Sequence, residues 1–304
     1  VGGLRLPLRT ALLRSISVPC TSVRMTPAEA NDYCQKRTAA SGSSFTASFR
    51  FLEPRRRQAI TAFYAFCREV DDVVDEIREP RVARLKLAWW RGEIDALYAG
   101  RPSHPVTIAL AEALQHFNLP REQFQEIIDG MEMDLDQTRY ADFKALHLYC
   151  YRVASVVGLI AAEIFGYRDR RTLKYAHDLG LAFQLTNIIR DVGEDARRGR
   201  IYLPQDELER YGVTPEDLGA ARYGDNFRRL MEFQIERAER TYAQALAQLP
   251  ACDRKAQRAG LIMAAIYRRL LDEIKRDGCR VLDRRIALAP LTKLWLAWRT
   301  WILS

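Results

Sequence analysis

The feature that most constrains this chain is a stripe of polar residues on an otherwise apolar segment. Gln184, Asn187, Asp191 and Asp195 recur at intervals of three or four residues, so a helix would place all four on one face. Asp191 and Asp195 would then lie about 6 Å apart along the axis at ~1.5 Å per residue. Leucine, isoleucine and phenylalanine surround the stripe, which favours a helix whose polar face points into the protein.

A second stripe of the same spacing lies earlier in the chain. Tyr64, Arg68, Asp71 and Asp75 would share one face of a helix that is also rich in apolar residues. Two carboxylate pairs on two apolar helices predict one shared site. Like charges in a low-dielectric cavity repel unless cations neutralise them, and hard oxygen ligands suit Mg²⁺ together with phosphate oxygens. We therefore expect a magnesium site that takes a diphosphate-bearing substrate.

Arginines beside the acidic residues strengthen this interpretation. They are Arg68, Arg190, Arg197, Arg198 and Arg200. A guanidinium can bind phosphate oxygens through two parallel hydrogen bonds. A single Asp-x-x-x-Asp segment is most often a solvated helix face, but two matched copies in apolar segments are much harder to explain in that way.

Composition excludes several other classes of protein. The chain has 304 residues, of which 48% are hydrophobic, enough for one large domain or two small ones. The net charge of +8 falls to +4 without residues 1–24, and no basic patch interleaved with aromatic residues indicates nucleic-acid binding. The six cysteines show no CxxC spacing, which predicts free thiols in a reducing compartment and no zinc site. The longest apolar stretch, Val153 to Phe165, predicts no bilayer span because it is too short.

Residues 1–24 allow two interpretations. They carry four arginines, several serines and threonines and no acidic residue, which is typical of a mitochondrial presequence. The interpretation we favour is an untranslated or misassigned extension, with Met25 as the true start. In either case we expect residues 1–24 to be disordered and the catalytic domain to cover residues 25–304.

Helix start and stop signals predict an all-α fold with a single bundle around a central cavity. Helices are expected at 27–40, 55–77, 82–98, 106–117, 121–136, 143–166, 169–196, 205–211, 215–221, 225–248, 253–277 and 283–303, and Gly199 should end the second acidic helix. No strand pattern of any length occurs. The two acidic helices should face each other across the cavity.

Packing roles can also be predicted for particular residues. In the helix after Pro80, the residues expected in the core are Leu85, Leu87, Trp89, Trp90, Ile94 and Leu97. Ala154, Ser155 and Gly158 should permit tight helix packing. Gly130 predicts a close helix crossing, with a cavity-lining role for Met133 as an equal alternative. The tryptophans of the last helix, Trp295, Trp298 and Trp301, fit either a membrane interface or packing on the domain.

Taken in order, these motifs resemble the squalene and phytoene synthase family of head-to-head prenyl transferases. The matching segments are Ser44-Phe45 with Phe49, Tyr64 to Asp75, Tyr149 to Gly158, Gln184 to Asp195, Arg200 to Pro204, and Tyr267. The resemblance implies the isoprenoid synthase fold, prenyl diphosphate substrates and Mg²⁺, with Mn²⁺ as an alternative and no NADPH. It implies that the metal is held by Asp71, Asp75, Asn187, Asp191 and Asp195.

The resemblance also implies a substrate site. Its diphosphate-binding residues would be Ser44, Arg68, Arg190, Tyr202 and Tyr267, with Phe45, Gln184 and Arg200 completing the substrate contacts and Tyr64 near the reacting carbons. Aromatic faces at Phe45, Phe49, Tyr64 and Phe183 would stabilise an allylic cation and exclude water.

Two departures from the family pattern bear on the product. Squalene synthases carry Tyr where this chain has Arg152, and most members have Gly where it has Ser155, so a reductive second half-reaction is not expected. These variants look most like the bacterial presqualene diphosphate synthases of hopanoid biosynthesis, which implies condensation of two farnesyl diphosphates. Phytoene synthesis from geranylgeranyl diphosphate and a non-catalytic assembly role stay open. The expected location is the cytoplasm, with peripheral contact to the inner membrane as an alternative.

Overall fold

The computed structural model describes residues 25–40, 48–49 and 52–303. Within these ranges the chain forms thirteen α-helices. They are α1 (Pro27–Ala40), α2 (Pro54–Glu76), α3 (Pro80–Tyr98), α4 (Pro105–Leu114), α5 (Arg121–Asp136), α6 (Phe143–Cys150), α7 (Val156–Phe165), α8 (Arg171–Arg197), α9 (Gln205–Tyr211), α10 (Pro215–Gly219), α11 (Asp225–Gln248), α12 (Arg258–Arg276) and α13 (Pro290–Leu303). A π-helical turn (Tyr151–Ser155) joins α6 to α7, and a 3₁₀ turn (Ala251–Asp253) precedes α12. The described residues contain no strand, only one isolated bridge between Arg139 and Ile201, so the all-α prediction is confirmed.

Local sequence signals explain many helix boundaries. Proline occupies the first turn of α1 to α4, α10 and α13, where its missing N–H costs no intrahelical hydrogen bond. Asp142 begins α6 by accepting a 2.8 Å hydrogen bond from the Ala145 N–H, and Thr214 and Asp217 form a capping box at α10. Gly199 follows α8 with a φ of +81°, as expected for a residue that ends a helix.

Two predicted helix starts were wrong. Helix α12 begins at Arg258 rather than 253, after the 3₁₀ turn, and α13 begins at Pro290 rather than 283. The second error has a tertiary cause, because residues 281–289 form a strap across α8. The Gly193 N–H donates to the Val281 carbonyl at 3.3 Å, and the Arg197 guanidinium donates to the Leu282 carbonyl at 2.5 Å.

The helices enclose two hydrophobic cores. One core surrounds α8 and includes α9, α11 and α12, and the other surrounds α2 and includes α3, α4, α5 and α7. The helix formed by α6, the π-helical turn and α7 lies between them and packs along α8. Because α2 and α8 belong to different cores, their facing surfaces border the space between the cores.

Glycines let α7 and α8 cross at close range. A Cβ added to Gly158 would lie 2.4 Å from the Ala176 carbonyl oxygen, and one added to Gly180 would lie 2.4 Å from the Ala154 carbonyl oxygen. The predicted tight packing at Ala154, Ser155 and Gly158 is therefore confirmed. Gly130 is equally constrained, since its Cβ would lie 2.7 Å from a Val153 methyl carbon.

Two packing predictions on α3 were wrong because only one face of that helix is covered. Leu87 and Trp90 are buried as predicted, but Leu85 is 72% exposed and Trp89 is 42% exposed, because they lie on the outer face of α3. Of the two alternatives for α5, the close crossing at Gly130 is observed, whereas Met133 does not line the cavity described below; Met131, two residues earlier, does.

The apolar helix in the middle of the chain has nearly the predicted bounds of 143–166. Residues Phe143–Phe165 form one helix of 23 residues, because α6 extends the apolar stretch through the π-helical turn. By length and composition alone it could cross a membrane, so the length argument against a span was wrong. In the folded chain this helix packs between α5 and α8 and borders the cavity.

The described cysteines are free, as predicted. Cys34, Cys150 and Cys279 are buried, Cys67 is half-buried and Cys252 is exposed. Cys20 lies outside the described residues, as does the rest of the 1–24 segment.

Candidate functional site

A cavity of about 570 Å³ lies between the two cores. Its walls come from α2, the π-helical turn, α7, α8, α12 and the strap, and most of them are apolar. The apolar lining includes Ile60, Phe63, Val153, Val157, Ala161, Phe165, Ala176, Leu179, Phe183, Met263, Ile266 and Leu270. Such a space suits a long hydrocarbon chain shielded from water.

One end of the cavity is polar. The lining of α2 changes from Ile60 and Phe63 to Arg68 and Asp71 toward its C-terminus. The lining of α8 changes in the same direction, ending in Gln184, Asn187 and Arg190. Arg200, just beyond α8, links the two helices at this end, because its guanidinium donates hydrogen bonds to Asp75 at 3.2 Å and to the Val74 carbonyl at 3.1 Å. The structure therefore brings the two predicted stripes to one end of one cavity.

Arginines hold the carboxylates of the first stripe. Arg68 donates to Asp71 and to Asp72, both at 2.6 Å, and Asp72 also pairs with Arg37 of α1. These pairs orient Asp71 at the cavity wall and neutralise part of the acidic helix.

The second stripe has a similar arrangement with one addition from the strap. Asp191 accepts hydrogen bonds from Arg190 of its own helix, at 2.8 Å, and from Arg285, at 3.0 Å. Arg285 also lines the cavity, and the sequence interpretation missed it. Its only sequence signal is an arginine pair in an acid-free stretch, and the contact depends on a fold that joins positions 94 residues apart.

Asn187 presents an unsatisfied buried oxygen at the cavity wall. Its Nδ2 group donates to the Gln184 Oε1 atom at 3.3 Å, whereas its buried Oδ1 atom has no hydrogen-bond partner among the described residues. A buried carbonyl oxygen without a donor is costly, and one at a binding site is explained most simply by an absent cation or donor.

A further buried carboxylate lies near both stripes, since its charge helps to raise the pKa values of Asp71 and Asp195, and the sequence interpretation missed it as well. Asp134 on α5 accepts hydrogen bonds from the Tyr202 hydroxyl at 2.7 Å and from the Tyr149 hydroxyl at 3.0 Å. It shares its helix face with Ile127 and Met131, so an acidic residue on an apolar face was the available signal.

Burial and mutual repulsion raise the pKa values of these acids. The pKa of Asp71 rises to about 6, through burial and then through Asp75, and that of Asp195 rises to about 7, through burial and then through Asp191. Burial also raises the pKa of Asp134 to about 6, against hydrogen bonds from Tyr202 and Tyr149 that lower it. The site thus concentrates more negative charge than its arginines fully offset.

The donor set fits a hard divalent cation in its chemistry. Such cations prefer carboxylate and amide oxygens, and a cation would offset the burial and repulsion that raise the pKa values of these acids. In the described residues no three acidic, histidine or cysteine side chains already converge on one metal position, because the acids are turned toward arginines.

The predicted site residues occupy different positions around the cavity. Those that line it are Tyr64, Arg68, Asp71, Gln184, Asn187, Arg190 and Tyr267. Those that lie beside it without lining it are Asp75, Asp191, Asp195, Arg200 and Tyr202, and Tyr202 faces Asp134 rather than the cavity. Ser44 and Phe45 lie outside the described residues.

Aromatic rings border the polar end. Tyr64 stands edge-on to Phe49 with ring centroids 6.1 Å apart, and Phe183 packs against Tyr267 at 4.9 Å. Arg190 is hydrogen-bonded to Tyr267, which fixes the guanidinium beside these rings. The arrangement offers cation-binding faces next to anion-binding groups.

The side chains of Arg152 and Ser155, the two residues that depart from the family pattern, point away from the cavity. Arg152 donates to Glu126 of α5 at 2.9 Å, and the buried Ser155 hydroxyl donates to the His177 carbonyl at 2.9 Å. Neither side chain lines the cavity, although the intervening Val153 and Ala154 do.

An all-α bundle with two acidic helices at one end of an apolar cavity defines an enzyme of the prenyltransferase type with the isoprenoid synthase fold. Residues 38–292 match the model of the squalene/phytoene synthase family, and the chain belongs to that family. A solved dehydrosqualene synthase in complex with a ligand superposes with a TM-score of 0.80 and 28% identity, covering 90% of this chain and 96% of that one. The squalene synthase HpnC from Alicyclobacillus acidocaldarius superposes with a TM-score of 0.74 and 27% identity, covering 83% of this chain and 95% of that one.

Sequence relatives include several phytoene synthases. The enzyme of Arthrospira platensis is 35% identical over 295 residues, covering 93% of this chain and 95% of the relative. Phytoene synthase 1, chloroplastic, of Arabidopsis thaliana is 36% identical over 275 residues, and the match covers 88% of this chain but 64% of that protein. The relatives and the solved structures therefore differ in the product that their names indicate.

Proposed function

We propose that the protein condenses two molecules of farnesyl diphosphate head to head, giving presqualene diphosphate, free diphosphate and a proton. The observation that carries this proposal is one apolar cavity whose polar end joins both acidic stripes to arginines. In the reaction the donor C1–O bond breaks, C1 bonds to the acceptor double bond, and loss of a proton closes a cyclopropane ring. One diphosphate leaves and the other stays on the product.

The arginines at the polar end would bind the diphosphates. Arg68 and Arg190 line the cavity, and a bidentate guanidinium offsets charge that builds on the leaving oxygen. When bound, Mg²⁺ or Mn²⁺ would neutralise the charge of the leaving group further. The residues that would hold the metal are Asp71, Asp75, Asn187, Asp191 and Asp195. Asp71, Asp75 and Asp191 would each have to turn from an arginine to do so.

The neighbouring rings would protect the allylic cation. Tyr64, Phe183 and Tyr267 lie at the boundary between the polar end and the apolar walls. Their faces attract a cation electrostatically, and the apolar walls exclude the water that would quench it.

The cavity is deep enough to hold an extended farnesyl chain. Along α8 the lining extends from Arg190 to Tyr175, a distance of about 22 Å at ~1.5 Å per residue. The buried Tyr175 hydroxyl lies next to Gly260 at the far end. With bonds of roughly 1.5 Å in zigzag, an extended farnesyl main chain measures about 14 Å and a geranylgeranyl main chain about 19 Å.

The residues that distinguish this chain from squalene synthases lie in the π-helical turn. Arg152 and Ser155 do not contact the cavity, so they can affect the second half-reaction only through the shape of the turn that presents Val153 and Ala154. A π-helical turn inside an α-helix often marks a functional site.

Phytoene synthesis from geranylgeranyl diphosphate is the second candidate. It is favoured by the phytoene synthase relatives that are 35–38% identical to this chain. The chemistry would be the same in its first half, with longer chains in the cavity.

The deciding experiment supplies purified protein with Mg²⁺ and either farnesyl or geranylgeranyl diphosphate, without reductant, and analyses the lipid extract by mass spectrometry. A thirty-carbon diphosphate is the expected product. A forty-carbon hydrocarbon would instead identify a phytoene synthase. No product from either substrate, with intact circular dichroism, would favour a non-catalytic role.

A further inference from the structure

Helix α13 presents its apolar side to solvent. Of the fourteen large hydrophobic residues that are exposed within the described chain, seven lie on this helix: Leu291, Leu294, Trp295, Trp298, Trp301, Ile302 and Leu303. At about 100° per residue, all of these except Leu303 fall within an arc of about 120°. The opposite side carries the buried Leu296 and Ala297, which pack on the α8 core. Both faces are therefore apolar, unlike those of an ordinary surface helix.

The charged residues in and just before this helix are all basic. Residues 284–303 contain Arg284, Arg285, Lys293 and Arg299 and no acidic residue. Arg299 flanks the exposed arc and lies 5.3 Å from the Trp295 ring centroid, while Arg258 of α12 lies 5.4 Å from the Trp301 ring centroid. Tryptophans with adjacent cations are typical of helices that lie between the head groups and acyl chains of a bilayer.

The same helix forms part of the cavity wall. Lys293 on its inner side and Leu288 just before it both line the cavity. The exposed apolar face and the cavity are thus separated by one helix, a distance of about 10 Å.

A second copy of the chain is a poorer fit to this face. The helix is about 21 Å long and about 10 Å wide, so its projected footprint is roughly 200 Å². A stable protein interface buries about 800 Å² on each partner. The surface of an anionic bilayer can take up the apolar arc and pair with the cations. It does not require a larger contact area than the helix offers.

We propose that α13 is a membrane-contact helix that lies on the surface of an anionic lipid bilayer. Leu294 and Trp298 insert at the centre of the exposed arc, and Arg299 contacts lipid phosphates at its edge. In this orientation the cavity lies on the inner side of α13, about 10 Å from the bilayer surface, which keeps an apolar substrate or product close to the lipid phase. The proposal concerns binding and does not depend on the prenyl chain that the cavity accepts.

Vesicle sedimentation of the full chain tests this proposal. Vesicles of phosphatidylcholine with about 30 mol% phosphatidylglycerol should bind the protein, and pure phosphatidylcholine should bind it more weakly. The double variant Leu294→Gln/Trp298→Gln should bind the anionic vesicles at least tenfold more weakly. A matched control, Leu85→Gln/Trp89→Gln, changes an exposed apolar pair on α3 and should bind like the wild type.

Two further measurements keep the test decisive. Arg299→Glu, at the edge of the helix face, should weaken binding to anionic vesicles and leave weak binding to neutral ones unchanged. Circular dichroism must show that each variant is folded. Equal binding by the wild type and the double variant would overturn the proposal. It would also be overturned if the wild type ignored vesicles and α13 substitution converted a dimer to a monomer by sedimentation velocity.

Discussion

Asp195 is largely buried and lies near the carboxylate of Asp191. Its side chain forms no ion pair within the described residues. Its pKa is about 7, raised from 3.8, so the folded state binds a proton more tightly than the unfolded state does. The charged form therefore destabilises the fold above pH 7, and this cost is lost as the pH falls toward 4. The same logic applies to Asp71, whose pKa is about 6.

Asp195→Asn should consequently stabilise the metal-free protein at pH 7.5. The expected gain is on the order of 2 kcal/mol after allowance for solvent screening, and it should shrink as the pH is lowered to 4.5. Chemical denaturation at several pH values measures it. Asp225→Asn is the control, because that side chain is 86% exposed. Destabilisation by Asp195→Asn at pH 7.5 would contradict the argument.

Loss of single carboxylates should separate activity from folding. Asp71→Ala or Asp191→Ala should reduce product formation at least 100-fold, because each removes a group proposed to neutralise the leaving diphosphate. Both side chains lie at the polar end, so the thermal midpoint should change little. Turnover assays with circular dichroism test the pair, and retained activity in either variant would count against the proposed metal ligands.

Residue positions on one helix face could be predicted, but contacts between distant segments could not. The spacing within 64–75 and 184–195 placed two stripes at one cavity end. Asp134 and Arg285 were missed because their partners, Tyr202 and Asp191, lie 68 and 94 residues away in the chain. Their environment is set by tertiary packing, which no local pattern reports.

At the scale of elements, the strap over residues 281–289 depends on a close approach to α8. A Cβ on Gly193 would lie 2.0 Å from the Leu282 carbonyl oxygen and 2.4 Å from the Leu282 carbonyl carbon. These are backbone atoms, which cannot rotate away as a flexible side chain could. Gly193 thus lets the strap deliver Arg285 to Asp191.

Gly193→Ala should displace the strap and cost about 2–3 kcal/mol of stability, as for other overpacked positions. Activity should fall as well, since Arg285 and Leu288 would leave the cavity wall. Gly92→Ala is a matched helical control, because its added Cβ meets nothing within 4 Å, and it should stabilise the protein by up to about 1 kcal/mol. Urea unfolding of both variants makes the comparison. An unchanged unfolding free energy for Gly193→Ala would refute the packing argument.

The bounds of a helix could be predicted where the sequence at its ends carries a start or stop signal. Helices α1, α5, α9 and α11 have the predicted bounds, marked by prolines, by Gly212 and by changes of hydrophobic pattern. The start of α13 was not predictable, since the preceding strap is held by α8 rather than by its own sequence.

At the scale of the whole molecule, the arginine pairs let the acidic helices fold without a cation. Asp71, Asp75 and Asp191 each have a guanidinium within hydrogen-bonding distance. We expect the far-UV circular dichroism and the thermal midpoint in excess EDTA to match those of the untreated protein within about 2 °C, because the cores do not depend on metal. Added Mg²⁺ with inorganic diphosphate should raise the midpoint by binding the folded state. Unfolding in EDTA would contradict this expectation.

Because the carboxylates are already paired with arginines, binding of metal and diphosphate would exchange one set of ion pairs for another. In the proposed reaction an arriving cation and diphosphate each take one member of an existing pair, so the number of paired charges is nearly conserved. Such an exchange releases few counterions to solution. Binding of the metal and diphosphate together should therefore weaken only slightly as ionic strength increases, in contrast to the capture of a polyanion by a bare basic surface.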